Sequence, residues 1–184
     1  VYPDRLVVEC NEDGFTSENL TAICNIGKSS KQGAQGYIGE KGIGFKSVFM
    51  AAWKVHIQSG SYSFYFQHRP SDRGIGMVTP IWQEPTEELP RHMTRMTLHL
   101  HTEGDLQSIP AQRDNIRQQL RKLNGNVLLF MRKLKEIRIV IDEDGTITST
   151  VFSKSETYDG RIRILRTVAQ DDSNSSDTSS TLYH

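Results

Sequence analysis

Apolar and polar positions change period several times along the chain, and each change predicts an element. The run Arg5-Leu6-Val7-Val8-Glu9-Cys10 reads as a strand. Thr16 follows as a helix cap, with Phe15 and Leu20 spaced as a hydrophobic staple. Leu20, Ile23 and Cys24 then share one helical face, which Gly27 ends. Phe45, Val48, Phe49 and Ala52 predict a short buried helix behind a glycine-dense stretch. Val55 and Ile57, a turn at Gly60-Ser61, then Tyr62, Phe64 and Phe66 carry the period of two that predicts a hairpin. The Gly- and Pro-rich stretch from His68 to Pro90 has room for one edge strand around Met77-Val78 and Ile81-Trp82, and Met96, Leu98 and Leu100 alternate again.

The second half follows the same logic. Ile116, Leu120, Leu123, Val127 and Leu134 predict one long amphipathic helix over 111–135. Ile137, Ile139 and Ile141 form a strand, Asp142 to Gly145 a turn, Ile147, Val151 and Phe152 a partner strand, and Arg161 to Val168 a last one. From Asp171 to Thr181 nearly every residue is Asp, Ser, Asn or Thr, which buries too little surface to offset the entropy of ordering. Residues 169–184 are therefore expected to be a flexible polar linker or loop, and residues 1–168 one domain. Hairpins with helices between them predict an α+β fold: a two-layer sandwich whose mixed, mostly antiparallel sheet has helices on one face.

Composition narrows the function classes. The 184 residues suffice for one ordinary domain with a real core. Lys+Arg and Asp+Glu both number 22, and this balance argues against a protein held on nucleic acid or membrane by bulk charge. No apolar run approaches the roughly 20 residues that span a bilayer, and no secretory signal opens the chain. Cys10 and Cys24 form no CxxC pair, which speaks against a zinc site or disulfide framework. Read as reduced thiols, they suggest an intracellular protein, cytoplasmic or nuclear. The start at Val1, without Met, reads as a fragment of something longer.

The chemistry concentrates in Gly36-Tyr37-Ile38-Gly39-Glu40-Lys41-Gly42-Ile43-Gly44-Phe45-Lys46-Ser47. Glycines at GxxGxG spacing that run into a helix start let backbone N–H groups approach an anion at the favourable end of the helix dipole. A P-loop is excluded because Ala22 stands where its first glycine belongs, and a Rossmann fingerprint because Ser47 takes the third glycine's place. By spacing alone, a structural glycine turn fits as well as a phosphate cradle.

The order of motifs adds a resemblance. A strand, the acidic turn Asn11-Glu12-Asp13-Gly14-Phe15, a helix, Ile26 to Lys31, the glycine box and Met93-Thr94-Arg95-Met96-Thr97-Leu98-His99-Leu100 together resemble the GHKL (Bergerat-fold) ATPase superfamily. The resemblance is to its chaperone-like branch of large proteins of the sacsin and NO VEIN type, and it covers roughly Arg5 to Leu134. It implies a Bergerat-type sandwich that binds ATP or ADP, with a nucleotide-gated lid over roughly Gly27 to Gly44 through which protein partners or a second copy engage. It implies that Asn11 stands where an aspartate accepts a hydrogen bond from the adenine amino group, with Gly14 in the same turn and Thr94 in support. It implies that Ser30 and Lys31 lie where the lid begins, and that Gly39, Gly42, Gly44 and Phe45 present backbone N–H groups to the phosphates, with Ile43 among the cofactor-binding residues.

Two departures bear on activity. Asn11 replaces a charged acceptor with a neutral one, and a charge-assisted bond is about twice as strong. The family's helix with the general-base glutamate and the magnesium-binding asparagine precedes the first strand, so the resemblance supplies this sequence with no catalytic residue and no ligand for Mg2+, which belongs to a full-length parent. The expectation is thus an ATP-binding domain with impaired hydrolysis; the alternative is a non-catalytic pseudo-ATPase acting as an interaction module. A histidine kinase fits less well, since no dimerising helical hairpin with an acceptor histidine is legible.

Other candidates read more plainly. His99 and His101, at i and i+2, would share a strand face but lack a third ligand at recognisable spacing. Arg113, Arg117, Arg121, Lys122, Arg132, Lys133 and Lys135 make a basic helix whose charge suits a solvated face better than nucleic acid. Lys28, Lys31, Lys41 and Lys46 surround the glycine box, where they would suit a triphosphate or stand as solvated loop lysines. Trp53 and Trp82 read as packing residues, and Cys24 as core.

Overall fold

The computed structural model describes residues 1–24, 45–69, 79–85, 87–102, 108–143, 145–171 and 176–183. Within these, helices are few and the sheets antiparallel, so the fold is α+β. The chain divides into two compact units rather than the single domain expected, one running from Asp4 to Ile109 and the other combining Val1–Pro3 with Pro110–His184. Among the described residues no helix is long and apolar enough to cross a membrane.

The first unit is a five-stranded sheet in the order β1 (Arg5–Cys10), β5 (Thr94–Leu100), β2 (Ala52–Ser59), β3 (Tyr62–Gln67), β4 (Ile81–Trp82). The period of two decides its faces. Val55, Ile57, Phe64 and Phe66 are wholly buried and Leu98 nearly so, all in one cluster. Each such side chain contributes about 1.5–3 kcal/mol by leaving water. Helix α1 (Ser17–Cys24) packs Leu20, Ile23 and Cys24 onto that cluster, and a 3-10 helix (Phe45–Met50) adds Phe49. Thr16 caps α1 reciprocally: Asn19 N–H donates to Thr16 Oγ1 at 3.3 Å, and Thr16 N–H donates to Asn19 Oδ1 at 2.9 Å. The register of β2 on β5 shifts between Ala52 and Lys54, which bulges Trp53 beside the His99 ring and beneath Arg69.

Polar groups on the opposite face of this sheet are also covered. Gln58 Nε2 donates to Glu87 O at 3.3 Å and Lys54 Nζ to Gln83 Oε1 at 3.1 Å. His56 is 7% exposed and shares a 3.1 Å hydrogen bond with Ser63 Oγ. Burial, then the charges of Lys54 and His99, push the His56 pKa below its ordinary value.

The second unit is a four-stranded sheet in sequential order, β6 (Glu136–Glu143), β7 (Thr146–Glu156), β8 (Ile162–Gln170), β9 (Ser176–Tyr183). Strand β9 corrects the expected linker. Its Ser/Thr backbone pairs with β8 from Ala169↔Ser176 to Ile162↔Tyr183, so an exposed polar segment is ordered by ladder hydrogen bonds and not by burial.

The helix expected over 111–135 is also corrected. Helix α2 spans Ser108–Lys122 and stops, and Asn124 takes an extended backbone and accepts from Asn126 N–H at 3.0 Å. A separate 3-10 helix, Gly125–Phe130, follows and seats Leu128, wholly buried, on Phe152 and Ile164. The break lets Gly125 lie flat against the sheet: a Cβ there would stand 2.6 Å from Ile164 Cγ2 and 2.8 Å from Phe152 Cδ1. Lys154 closes the far end by donating its Nζ to Leu128 O and Met131 O. The basic face of α2 is partly pinned, with Arg121 paired to Glu143.

Two outcomes follow from this packing. Gly125→Ala should lose about 1–3 kcal/mol, the usual cost of overpacking, seen as a lower urea midpoint for loss of the four-stranded sheet; an unchanged midpoint would contradict the close approach. His56, whose folded pKa lies below the unfolded value, favours folding as the neutral ring. Its contribution is therefore complete above the unfolded value of about 6.5 and declines as pH falls from there through the folded pKa. Denaturation midpoints at neutral and mildly acidic pH should show that decline, and His56→Gln should flatten it.

Candidate functional site

One end of the five-stranded sheet gathers the residues expected to serve an adenine ring. Cys10, Thr94 and Ser59 are opposite one another across β1, β5 and β2. The chain leaves β1 at Asn11 and turns back through Gly14, whose φ of +89° belongs to the left-handed region that favours glycine. Gly14 also packs closely, since a Cβ there would meet Ser59 Oγ at 3.3 Å and Gly60 N at 3.6 Å.

The junction is tied by buried hydroxyls. Ser59 and Thr94 are 1% and 2% exposed, and their oxygens lie 2.5 Å apart. Phe15 N–H donates to Ser59 Oγ at 2.8 Å, which fastens the end of the acidic turn to β2. Ser59 thus accepts one bond and shares a second with Thr94. Two hydroxyl protons serve one hydroxyl–hydroxyl bond, so one remains to donate beyond the pair. Asn11, Glu12 and Asp13 have exposed side chains at the rim. The site joins a fixed polar floor to a solvent-facing acceptor.

Of the expected site residues, Gly14 and Thr94 meet at Ser59, and Asn11 directly follows Cys10, the β1 partner of Thr94. The Phe45 ring packs edge-on to Phe66 at 5.6 Å and to Phe49 at 6.3 Å, as expected of the short buried helix. Its ring serves the core. Ser30, Lys31, Gly39, Gly42, Ile43 and Gly44 lie outside the described residues, as do Lys28 and Lys41. Lys46 is engaged: its Nζ donates to Ile23 O at 2.7 Å, near the last carbonyls of α1, and sits over the Phe66 ring at 4.8 Å. Burial pushes its pKa down. Ser59 is a site residue that no motif in the sequence marks, since it stands next to the Gly60-Ser61 turn of the hairpin. Its strand parity with Val55 and Ile57 already placed it inward.

The remaining candidates do not assemble. His101 shares a 3.1 Å hydrogen bond with Phe49 O, while His99 stands against Trp53. Among the described residues no three His, Cys, Asp or Glu side chains group to hold a metal. The Cys10 thiol is pushed up by desolvation and then by Glu12, and the Cys24 thiol by burial against an opposing effect of Lys46, so neither is an activated nucleophile.

No family model matches the chain. It is similar to Protein NO VEIN of Arabidopsis thaliana, with 34% identity over 150 residues. That alignment covers 75% of this chain and 6% of NO VEIN, so the chain spans a small part of the relative's length.

Substituting the hydroxyls tests the junction. Ser59→Ala leaves Phe15 N–H and Thr94 without their partner, at a cost of about 1–3 kcal/mol. Thr94→Val should cost a similar amount, and the double variant less than the sum, with a coupling of about 1 kcal/mol in a double-mutant cycle read by chemical denaturation. Strict additivity would mean that the pair is not a unit.

Proposed function

We propose that this chain carries most of a GHKL-type nucleotide-binding domain from a large chaperone-like protein, with the adenine end of the site at the Asn11–Gly14 turn. The observation that carries the reading is the convergence of Gly14 and Thr94 on the buried Ser59 hydroxyl beside Asn11. The antiparallel sheet with α1 and a 3-10 helix on one face suits a Bergerat-type sandwich, and the similarity to NO VEIN adds weight.

In this reading Asn11 accepts from the adenine amino group through its amide oxygen. The Ser59–Thr94 pair holds the turn at the correct depth and offers its remaining proton to a ring nitrogen or a bridging water. The glycine box Gly39, Gly42 and Gly44 supplies backbone N–H groups to the phosphates, with Ser30, Lys31 and Ile43 beside them. Lid closure on ATP then alters how the domain meets a protein partner or a second copy. This reading assigns no residue to Mg2+ or to water activation. The neutral acceptor at position 11 favours a second reading, a module that binds without turnover.

Calorimetric titration with ADP and ATP tests this, on the chain and on a version carrying any natural residues upstream of Val1. Binding should perturb the backbone amides of Gly14 and Thr94. Gly44→Val should abolish it without unfolding, because a branched side chain blocks the phosphate approach. Affinity unchanged in Gly44→Val would sink the proposal. Binding with phosphate release no faster than in buffer would support the module over the ATPase.

A further inference from the structure

The four-stranded unit holds a second candidate site that the nucleotide reading does not use. A cavity of about 300 Å3 opens between the start of the Gly125–Phe130 helix and the face of β8 and β9. Its volume is at the small end of ligand pockets. Arg166 and Lys122 line it, and among the described residues no carboxylate does.

Several polar side chains lining this cavity keep a donor, while the Tyr183 oxygen, its proton given to Asn126, is left as an acceptor. Asn124 Oδ1 is occupied by Asn126 N–H, and Asn126 Oδ1 by the Tyr183 hydroxyl. Each amide is thereby left with its NH2. Ser179 and Thr181, opposite Arg166 and Ile164 in the β8–β9 register, add hydroxyls. Several other cations of the unit are committed, Lys154 to the carbonyls of Leu128 and Met131, Arg121 to Glu143 and Arg161 to Asp159. Asp177 pairs with Val168, two positions along β8 from Arg166, and does not line the cavity.

We propose that this cavity binds the phosphomonoester dianion of a small organic phosphate or of a phosphorylated side chain. A guanidinium fork, an ammonium and neutral donors in a lining without a carboxylate among the described residues match a multi-oxygen anion. Gly125 lines the cavity where a Cβ would stand 2.6 Å from Ile164 Cγ2 and 2.8 Å from Phe152 Cδ1.

The test is an NMR titration of the whole chain with inorganic phosphate, against chloride at equal ionic strength. Phosphate should shift the Asn126, Arg166 and Ser179 resonances and saturate in roughly the millimolar range. Arg166→Gln should weaken binding about tenfold or more, and Lys122→Gln should weaken it less. Arg163→Gln, on the other face of β8, should leave it unchanged. All three positions are exposed, and unaltered β-sheet amide shifts would verify the fold of each variant. Glycerol phosphate and a phosphoserine peptide form the next arms. Tighter binding of either supports the site and identifies the source. Equal shifts with chloride, or undiminished affinity in Arg166→Gln, would overturn the proposal.

Discussion

The buried hydroxyl pair of Ser59 and Thr94 is the contact on which the first unit's candidate site depends. It joins β2 to β5 at the sheet end where β1 also terminates, and through Phe15 N–H it determines where the acidic turn can lie. A buried polar pair is tolerated only when its bonds are made, so it constrains its surroundings more tightly than an apolar contact would. Gly14 is the consequence: its positive φ strains any other residue, and a Cβ would crowd Ser59 Oγ at 3.3 Å.

A comparable constraint organises the second unit without polar pairing. The close approach of Gly125 to Phe152 and Ile164 requires the chain to leave α2 first, and Asn124 provides that exit with its side-chain cap. Lys154 then satisfies the carbonyls at the other end of the short helix. The cavity beside it is a product of this arrangement, since a continuous helix through 135 would have carried Asn124 and Asn126 along a helical path away from their present partners.

Much of the local structure was legible from periodicity. The β2–β3 hairpin, the Thr16 cap, the inward faces of Leu98 and Ile141 and the short helix before Ala52 follow from spacing alone, because burial of one face enforces the pattern. Asn11, Gly14 and Thr94 were singled out by a family resemblance, and their proximity emerged only with the sheet register. The Phe45 ring packs on Phe49 and Phe66, as its spacing with Val48, Phe49 and Ala52 predicts. The helix over 111–135 failed for a visible reason: apolar spacing from Leu120 to Leu134 continues through Asn124-Gly125, and a 3-10 helix can bury the same residues.

The sequence by itself determined which residues turn inward within each element, because period, caps and turn residues act over a few positions. It determined the hairpins and the balance of charge. What only the tertiary structure decided depends on partners distant in the chain. Ser59 becomes part of a site because Thr94, 35 residues away, arrives opposite it. The Ser/Thr run of β9 becomes a strand because β8 offers it an edge, and backbone hydrogen bonds to a neighbour leave no imprint on composition.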